Sequence, residues 1–446
     1  MTRSNRHKAV FVALFVFMLF VMSMGVVWAA QVKVGVGMAK PTLLADQKQT
    51  THLKVSLTGF EWAARADRTP VNVAIVIDKS GSMSGAKIQK AKEAAMMVVD
   101  RLSGRDIVSV VAYDSSVRVL VPATKVAEKA ALREAINTLR AGGSTALFAG
   151  VSKGAAEVRK FLNRNRVNRV ILLSDGLANV GPSCPKQLGD LGASLVKNGI
   201  AVTTIGLGLN YNEDLMSQLA QRSDGNHYFA ENATDLARIF KGELGDVLSV
   251  CAQEVTVQIK CRAGVRPVRV LGREADITGQ TVITVLNQLY SGQEKYVMLE
   301  VEVEASKGGT TRPVADVKVS YANMATKTAE TLTRDVAVRF DKSKEVVAKA
   351  IDKKVAAAAV ELIATDVNKQ AVVLRDAGKI EAARTMLQKN AAFLNDNAAK
   401  LKSKRLIIYG HANILQADNL DAENWRRNRK DMRSWQRYNE AQQKTR

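Results

Sequence analysis

The chain has 446 residues, of which 47% are hydrophobic and 24% are charged, and its formal net charge is +22. A chain of this length is too long for one ordinary hydrophobic core, so we expect two to four domains. Three cysteines are too few for a disulfide-stapled scaffold, and neither they nor the four histidines show the spacing of a zinc site.

The first 29 residues have the features of an export signal. Arg3, Arg6 and Lys8 precede an uncharged apolar run, and Val27-Trp28-Ala29 supplies small residues where a signal peptidase cuts. The run is also long enough to span a bilayer, so residues 1–29 are either a cleaved signal peptide or a membrane anchor. We therefore expect an exported protein, periplasmic or extracellular, or one anchored in the cytoplasmic membrane. The high positive charge favours acidic partners, and export makes nucleic acid an unlikely one.

Alternating apolar and polar residues predict β-strands on both sides of a central region. Such stretches occur at residues 31–36 and 53–57, and again at residues 252–260 and 299–303. We expect residues 31–70 and 249–340 to form one β-sandwich into which residues 71–248 are inserted. A continuous strand at 252–260 would hold Cys251 and Cys261 about 30 Å apart, too far for a disulfide.

From Val71 onward, apolar strand-like runs alternate with amphipathic helices. This order predicts a doubly wound α/β domain with a mostly parallel sheet covered on both faces. A short antiparallel edge strand is expected at 117–121. The other predicted strands are 71–77, 106–113, 169–174, 201–207 and 227–230, and the predicted helices are 86–102, 127–139, 147–161, 185–198, 213–223 and 235–248.

Five oxygen-bearing side chains follow the predicted strands of this domain. Asp78, Ser80 and Ser82 come directly after the first strand, Thr145 precedes a helix, and Asp175 ends a later strand. Ligands of open α/β sheets collect at the carboxyl ends of the strands. Carboxylate and hydroxyl oxygens suit Mg²⁺, which keeps several of its waters. We therefore predict a metal site made by these five residues.

In this order, Asp-x-Ser-x-Ser, then Thr, then Asp, the five residues resemble the metal-ion-dependent adhesion site of the von Willebrand factor type A family. The resemblance spans about residues 72–248. It implies that Ser80, Ser82 and Thr145 contact Mg²⁺ directly, that Asp78 and Asp175 act largely through bound water, and that an Asp or Glu of a protein partner completes the coordination. Mn²⁺ and Ca²⁺ are possible alternatives. The layout is similar to that of bacterial secreted members of the family and, more distantly, to inter-alpha-trypsin inhibitor heavy chains.

Capping is the simpler explanation for some polar residues near the site. Asp78 and Ser80 could satisfy backbone amides at the turn into the next helix, although this leaves Thr145 and Asp175 without a role. We expect Asp114 to cap a turn and Asn212 to cap a helix.

From residue 341 the chain becomes rich in Ala, Lys and Leu, which predicts a helical region with a break at Gly378. Its end, residues 400–446, carries twelve lysines and arginines against five acidic residues, with Trp425, Trp435 and Tyr438 interspersed. This basic tail could bind an anionic membrane surface, bind an acidic protein, or be an ordinary charged helical end.

The sequence lacks the common motifs of hydrolases and nucleotide-binding enzymes, and no histidine stands near the five oxygens as a base. We therefore expect a binding protein without catalytic residues, which captures an acidic side chain of a partner through Mg²⁺. The alternative is a structural cell-envelope component that docks through its basic helical tail. A metal-dependent hydrolase is the least favoured interpretation.

Overall fold

The computed structural model describes residues 30–62 and 68–443. The predicted leader, residues 1–29, lies outside these ranges. Within them, no helix combines the length and the apolar character that a membrane span requires.

The described residues form sixteen strands and eleven α-helices. The strands are β1 (Lys33–Met38), β2 (Thr42–Leu44), β3 (Gln49–Thr58), β4 (Val71–Asp78), β5 (Ile107–Tyr113), β6 (Val117–Lys125), β7 (Val167–Ser174), β8 (Ile200–Leu207), β9 (His227–Ala230), β10 (Val250–Cys261), β11 (Val265–Leu271), β12 (Asp276–Thr278), β13 (Thr281–Tyr290), β14 (Glu294–Val303), β15 (Thr311–Asn323) and β16 (Ala329–Asp341). The helices are α1 (Ala86–Arg101), α2 (Lys129–Asn137), α3 (Leu147–Arg159), α4 (Pro185–Val196), α5 (Glu213–Arg222), α6 (Asp235–Leu248), α7 (Lys344–Lys349), α8 (Lys353–Asp376), α9 (Ile380–Leu401), α10 (Lys404–Asp418) and α11 (Ala422–Ala441).

The α/β domain is built on a six-stranded sheet with the order β6-β5-β4-β7-β8-β9. All neighbours in it are parallel except the edge pair β5 and β6. Every residue of β4, β5, β7 and β8 is buried, as expected where helices cover both faces. Successive residues of β4 face opposite cores, with Ile75 on one side and Val76 on the other. The predicted α/β fold class is thereby confirmed.

The strands before and after this domain form two further sheets that share one apolar core. One sheet has the order β1-β3-β14-β11, and the other has the order β12-β13-β10-β15-β16-β2. Val55 and Leu299 from the first sheet lie in the same core as Val257 and Val319 from the second. All pairings are antiparallel except that of β2 with β16. Packing of two sheets through a common core is the arrangement of a sandwich.

Strand β10 spans twelve residues and is bulged near its start. It is paired along its length with β13 on one side and β15 on the other. Cys251 and Cys261 therefore lie near opposite ends of one extended segment, which is incompatible with a disulfide between them.

The helical region packs on both other parts of the molecule. Val355 and Leu362 of α8 pack against Leu271 and Met298 of the sandwich. Gly378, with a φ of 76°, lies in the turn between α8 and α9, as the sequence predicts. Helix α11 contacts α8, α5 and β9, and thus reaches the α/β domain.

Candidate metal centre at the edge of the sheet

The structure brings the five predicted ligands together at the carboxyl edge of the central sheet. Asp78 is the last residue of β4, and Asp175 directly follows β7. Because β4 and β7 are adjacent and parallel, both carboxylates reach the same edge. Ser80 and Ser82 lie in the turn between β4 and α1, and Thr145 lies just before α3.

Hydrogen bonds hold the two carboxylates in place. The Ser82 hydroxyl donates to Asp175 Oδ1 at 2.6 Å, and its oxygen lies 3.2 Å from that of Ser80. Asp78 Oδ1 accepts from the Ser80 backbone N–H at 2.8 Å, as the capping interpretation expected. Asp78 Oδ2 accepts from the hydroxyl of Ser174 at 2.6 Å.

The three hydroxyls converge on a small space beside Gly176. A Cβ atom added to Gly176 would lie 3.1 Å from Thr145 Oγ1, 3.4 Å from Ser82 Oγ and 3.7 Å from Ser80 Oγ. The absence of a side chain at position 176 therefore keeps the space between these oxygens open. Two carboxylates and three hydroxyls around one opening fit Mg²⁺, which favours oxygen ligands and retains waters.

The carboxylates are buried, whereas the opening faces a cleft. Asp78 and Asp175 are both 0% exposed, and Ser80 and Thr145 are nearly so. Burial raises the pKa of Asp78 above its ordinary value, hydrogen bonds from Ser174 and Ser80 oppose this rise, and the charge of Asp175 adds to it. A cation bound beside these two buried acidic groups would offset the repulsion between them.

A lysine that the motif does not include also neutralises this site. Lys87 of α1 forms an ion pair with Asp175 Oδ2. Among the described residues it is the only lysine or arginine in an ion pair with either of the two aspartates. Nothing in the Asp-x-Ser-x-Ser spacing points to Lys87, which lies in the helix that follows the motif.

Loop contacts fix Thr145 and the surrounding turns. Asn179 Oδ1 accepts from the Thr145 backbone N–H at 2.8 Å. Asp114 accepts from the Ser116 backbone N–H at 2.8 Å and pairs with Lys79. The Asn212 side chain accepts from the backbone N–H groups of two residues at the start of α5. The predicted capping roles of Asp114 and Asn212 are confirmed.

Helix α11 forms one wall of the cleft above the site. The cleft has a volume of about 680 Å³. Arg426, Arg429 and Lys430 line it together with the serines, Thr145, Gly176 and the loop that leads into α5. Nothing in the sequence connects the tail with the predicted metal site, but the fold places cationic residues of the tail beside it.

A family model described as the von Willebrand factor type A domain matches residues 72–242. The chain is 28% identical over 279 residues to the uncharacterized protein sll0103 of Synechocystis, covering 59% of this chain and 65% of the relative. It is 29% identical over 216 residues to the uncharacterized protein YfbK of Escherichia coli, covering 48% of this chain and 37% of the relative. The chain thus spans less than two thirds of either relative. Human inter-alpha-trypsin inhibitor heavy chain H3 is 28% identical over 164 residues, which are 35% of this chain and 18% of that protein.

Two solved structures share the architecture beyond the α/β domain. A von Willebrand factor type A protein from Catenulispora acidiphila superposes with a TM-score of 0.67 and 17% identity, over 84% of this chain and 89% of that one. The ArnB paralog VWA2 from Sulfolobus acidocaldarius has a TM-score of 0.64 and 18% identity, over 92% of this chain and 98% of that one. Identities this low show a common fold alone. The family match identifies residues 72–242 of this chain as a von Willebrand factor type A domain.

Proposed function

We propose that the α/β domain binds Mg²⁺ and uses it to capture an acidic side chain of a protein partner. Asp78, Ser80, Ser82, Thr145 and Asp175 would hold the ion, which would act as a Lewis acid toward an incoming carboxylate. The observation that carries this proposal is the convergence of three hydroxyls beside two buried carboxylates, at the base of an open cleft.

The cleft supports binding rather than catalysis. Among the described residues that line it there is no histidine to serve as a general base, and its carboxylates outside the metal centre, Glu213 and Asp214, are paired with arginines and a lysine. Domains of this type are commonly protein-interaction modules. Export to the periplasm or cell surface, or anchoring at the membrane, is part of the proposal and rests on residues 1–29.

A display library of random 12-residue peptides tests this function. We expect the full chain in Mg²⁺ to select peptides that contain Asp or Glu, and we expect their binding to disappear with EDTA or with Asp78→Ala. The control is Asp114→Ala, which removes a carboxylate at the same edge of the sheet outside the metal centre. Selection that is indifferent to EDTA and to Asp78→Ala would contradict the proposal.

A second candidate function is a structural envelope component that docks through its basic helical tail. The excess of cationic residues in residues 400–446 favours it. In this case capture of acidic proteins or anionic vesicles would survive EDTA. It would be lost when exposed tail residues such as Lys400 and Lys404 are replaced by Gln.

A further inference from the structure

The tail helix α11 is held firmly against the rim of the metal face. Lys430 is buried, and its ammonium group donates to the Tyr211 backbone carbonyl at 3.0 Å and to Glu213 at 2.5 Å. Arg429 pairs with Glu213 at 2.5 Å and with Asp214 at 2.6 Å. Tyr211 and Glu213 flank the start of α5, directly beside the cleft. The helix is therefore a fixed wall of the site.

Most cations of this helix are already matched by acidic residues of the same chain. Arg433 also pairs with Asp214, at 2.9 Å, and Arg427 pairs with Glu231. Arg426 differs from them. It is exposed, it lines the cleft, and within the described residues no carboxylate lies within ion-pair distance of it.

The remaining cleft wall suits a short peptide segment. Leu177 and Leu209 are 59% and 37% exposed and lie on the rim. The volume of about 680 Å³ is in the range of pockets that hold small ligands, so a partner would enter with a few residues. An unmatched guanidinium in such a place favours an acidic group on that segment.

We infer that a partner bound at this metal face presents two carboxylates, one to the metal ion and a second to Arg426 of the tail helix. The partner segment is thus an acidic peptide with at least two Asp or Glu residues. This inference rests on the proposed function, because the first carboxylate needs the metal. It makes Arg426 a specificity-determining residue contributed by a different part of the chain from the metal centre.

The peptide library distinguishes this inference from the proposed function. Selection in Mg²⁺ is carried out on the full-length wild type, on Arg426→Gln and on Arg427→Gln. The last variant is the control because Arg427 is adjacent in sequence but matched by Glu231. We expect the wild type and Arg427→Gln to select peptides with two acidic residues, and Arg426→Gln to select peptides with one.

A selected two-acid peptide should lose about fivefold in affinity for Arg426→Gln, the upper range for an ion pair at an exposed site. The same peptide with one acid replaced by its amide should bind the wild type and Arg426→Gln equally. Mg²⁺-dependent selection of one-acid peptides by the wild type would overturn the inference and leave the proposed function standing. Failure to select acidic peptides in Mg²⁺ would overturn both. Titration calorimetry of both proteins is the control for the metal centre. Equal Mg²⁺ affinities of the wild type and Arg426→Gln would show that the substitution leaves that centre intact.

Discussion

At the scale of single residues, Gly176 matters because of what it lacks. A methyl group at this position would stand 3.1 Å from Thr145 Oγ1 and enter the space between the three hydroxyls. We expect Gly176→Ala to weaken Mg²⁺ binding roughly 10- to 100-fold, the range found when groups supporting a metal site are changed. Titration calorimetry measures the effect.

Gly142→Ala is the matched control for that substitution. Gly142 lies in the loop before Thr145, and a Cβ atom there would meet no other atom within 4 Å. The Gly142→Ala variant should bind Mg²⁺ with the affinity of the wild type. Equal affinities for Gly176→Ala and Gly142→Ala would show that the hydroxyls do not coordinate from this space.

Lys87 is expected to oppose metal binding. Its ammonium group pairs with Asp175, so a metal cation at the same carboxylate experiences repulsion. Lys87→Met should therefore raise Mg²⁺ affinity by about fivefold, on the order of 1 kcal/mol. The control is Lys90→Met, because Lys90 lies in the same helix but pairs with Glu93. Titration calorimetry compares the Mg²⁺ affinities of the two variants. Weaker binding by Lys87→Met would instead mean that this lysine positions Asp175 for the ion.

That the five predicted ligands converge at one edge could be predicted from the sequence, because their spacing follows the strands that carry them. Each stands just after a buried strand or just before a helix, and parallel strands deliver such residues to one edge. Lys87 and Ser174 could not be assigned in this way. Their roles depend on the direction of side chains across the site, which no spacing encodes.

At the scale of secondary-structure elements, the packing of α11 against strand β9 affects the stability of the protein in acid. His227 in β9 is buried, and its Nδ1 lies 2.8 Å from Thr204 Oγ1. Burial, then the charges of Arg437 and Lys430 in α11, lower the pKa of His227 to about 3. The imidazole is therefore neutral in the folded protein under conditions in which the unfolded chain binds a proton.

Acidification should consequently destabilise the protein. The pKa of His227 is lower in the folded protein than the value of about 6.5 in the unfolded chain. The contribution of His227 to the free energy of unfolding is therefore present in full above pH 6.5 and is lost as the pH falls toward 3. The expected loss is about 1.4 kcal/mol per pH unit in the free energy of unfolding. Urea unfolding at several pH values measures how the free energy of unfolding depends on pH. This dependence should be weaker for His227→Gln than for the wild type, and it should be unchanged for His411→Gln, which alters an exposed histidine. Parallel curves for the wild type and His227→Gln would contradict this explanation.

Element positions in the α/β domain could be predicted closely. Strand 227–230 and helix 235–248 match the structure residue for residue, and the other interior boundaries differ by at most two residues. The alternation of apolar runs with amphipathic stretches indicates these positions in the sequence. The edge strand β6 extends four residues beyond the prediction, because its exposed positions resemble a loop in sequence. The parallel pairing of β2 with β16 could not be foreseen, since residues about 300 positions apart meet only in the folded sandwich.

At the scale of the whole molecule, charge pairs join the tail to the von Willebrand factor type A domain. Arg429 is largely buried and contacts Glu213, Asp214 and Asp376. Arg429→Ala should lower the free energy of unfolding by about 2–3 kcal/mol, because Glu213, Asp214 and Asp376 each lose a charged hydrogen-bond partner. It should also make α11, which carries Arg426, Arg433 and Arg437, more sensitive to trypsin.

Arg427→Ala provides the comparison for this whole-molecule effect. Arg427 forms a single, exposed ion pair with Glu231, so its loss should cost less than about 1 kcal/mol. Urea unfolding and limited trypsin digestion of the two variants give both readouts. Equal stability and equal digestion of Arg429→Ala and Arg427→Ala would mean that the charge pairs do not hold the tail in place.

The sequence reveals the charge and the aromatic residues of the tail but not their use. Basic residues interspersed with tryptophan and tyrosine are compatible with a membrane, a partner protein or the chain itself. In the fold, Trp435 stacks on Tyr409 at 5.4 Å, and Lys430 lies over the Tyr211 ring at 4.6 Å. The contact of Lys430 with Tyr211 requires α11 to reach a domain more than 200 residues earlier in the chain, which local patterns cannot show.

The most direct measurement is Mg²⁺ titration calorimetry on the wild type, Asp78→Ala and Asp114→Ala. If the five residues form a metal centre, the wild type and Asp114→Ala will bind one Mg²⁺ per chain, and Asp78→Ala will bind none. Unchanged Mg²⁺ binding by Asp78→Ala, or no binding by the wild type, would contradict the central claim that this domain acts through a metal ion.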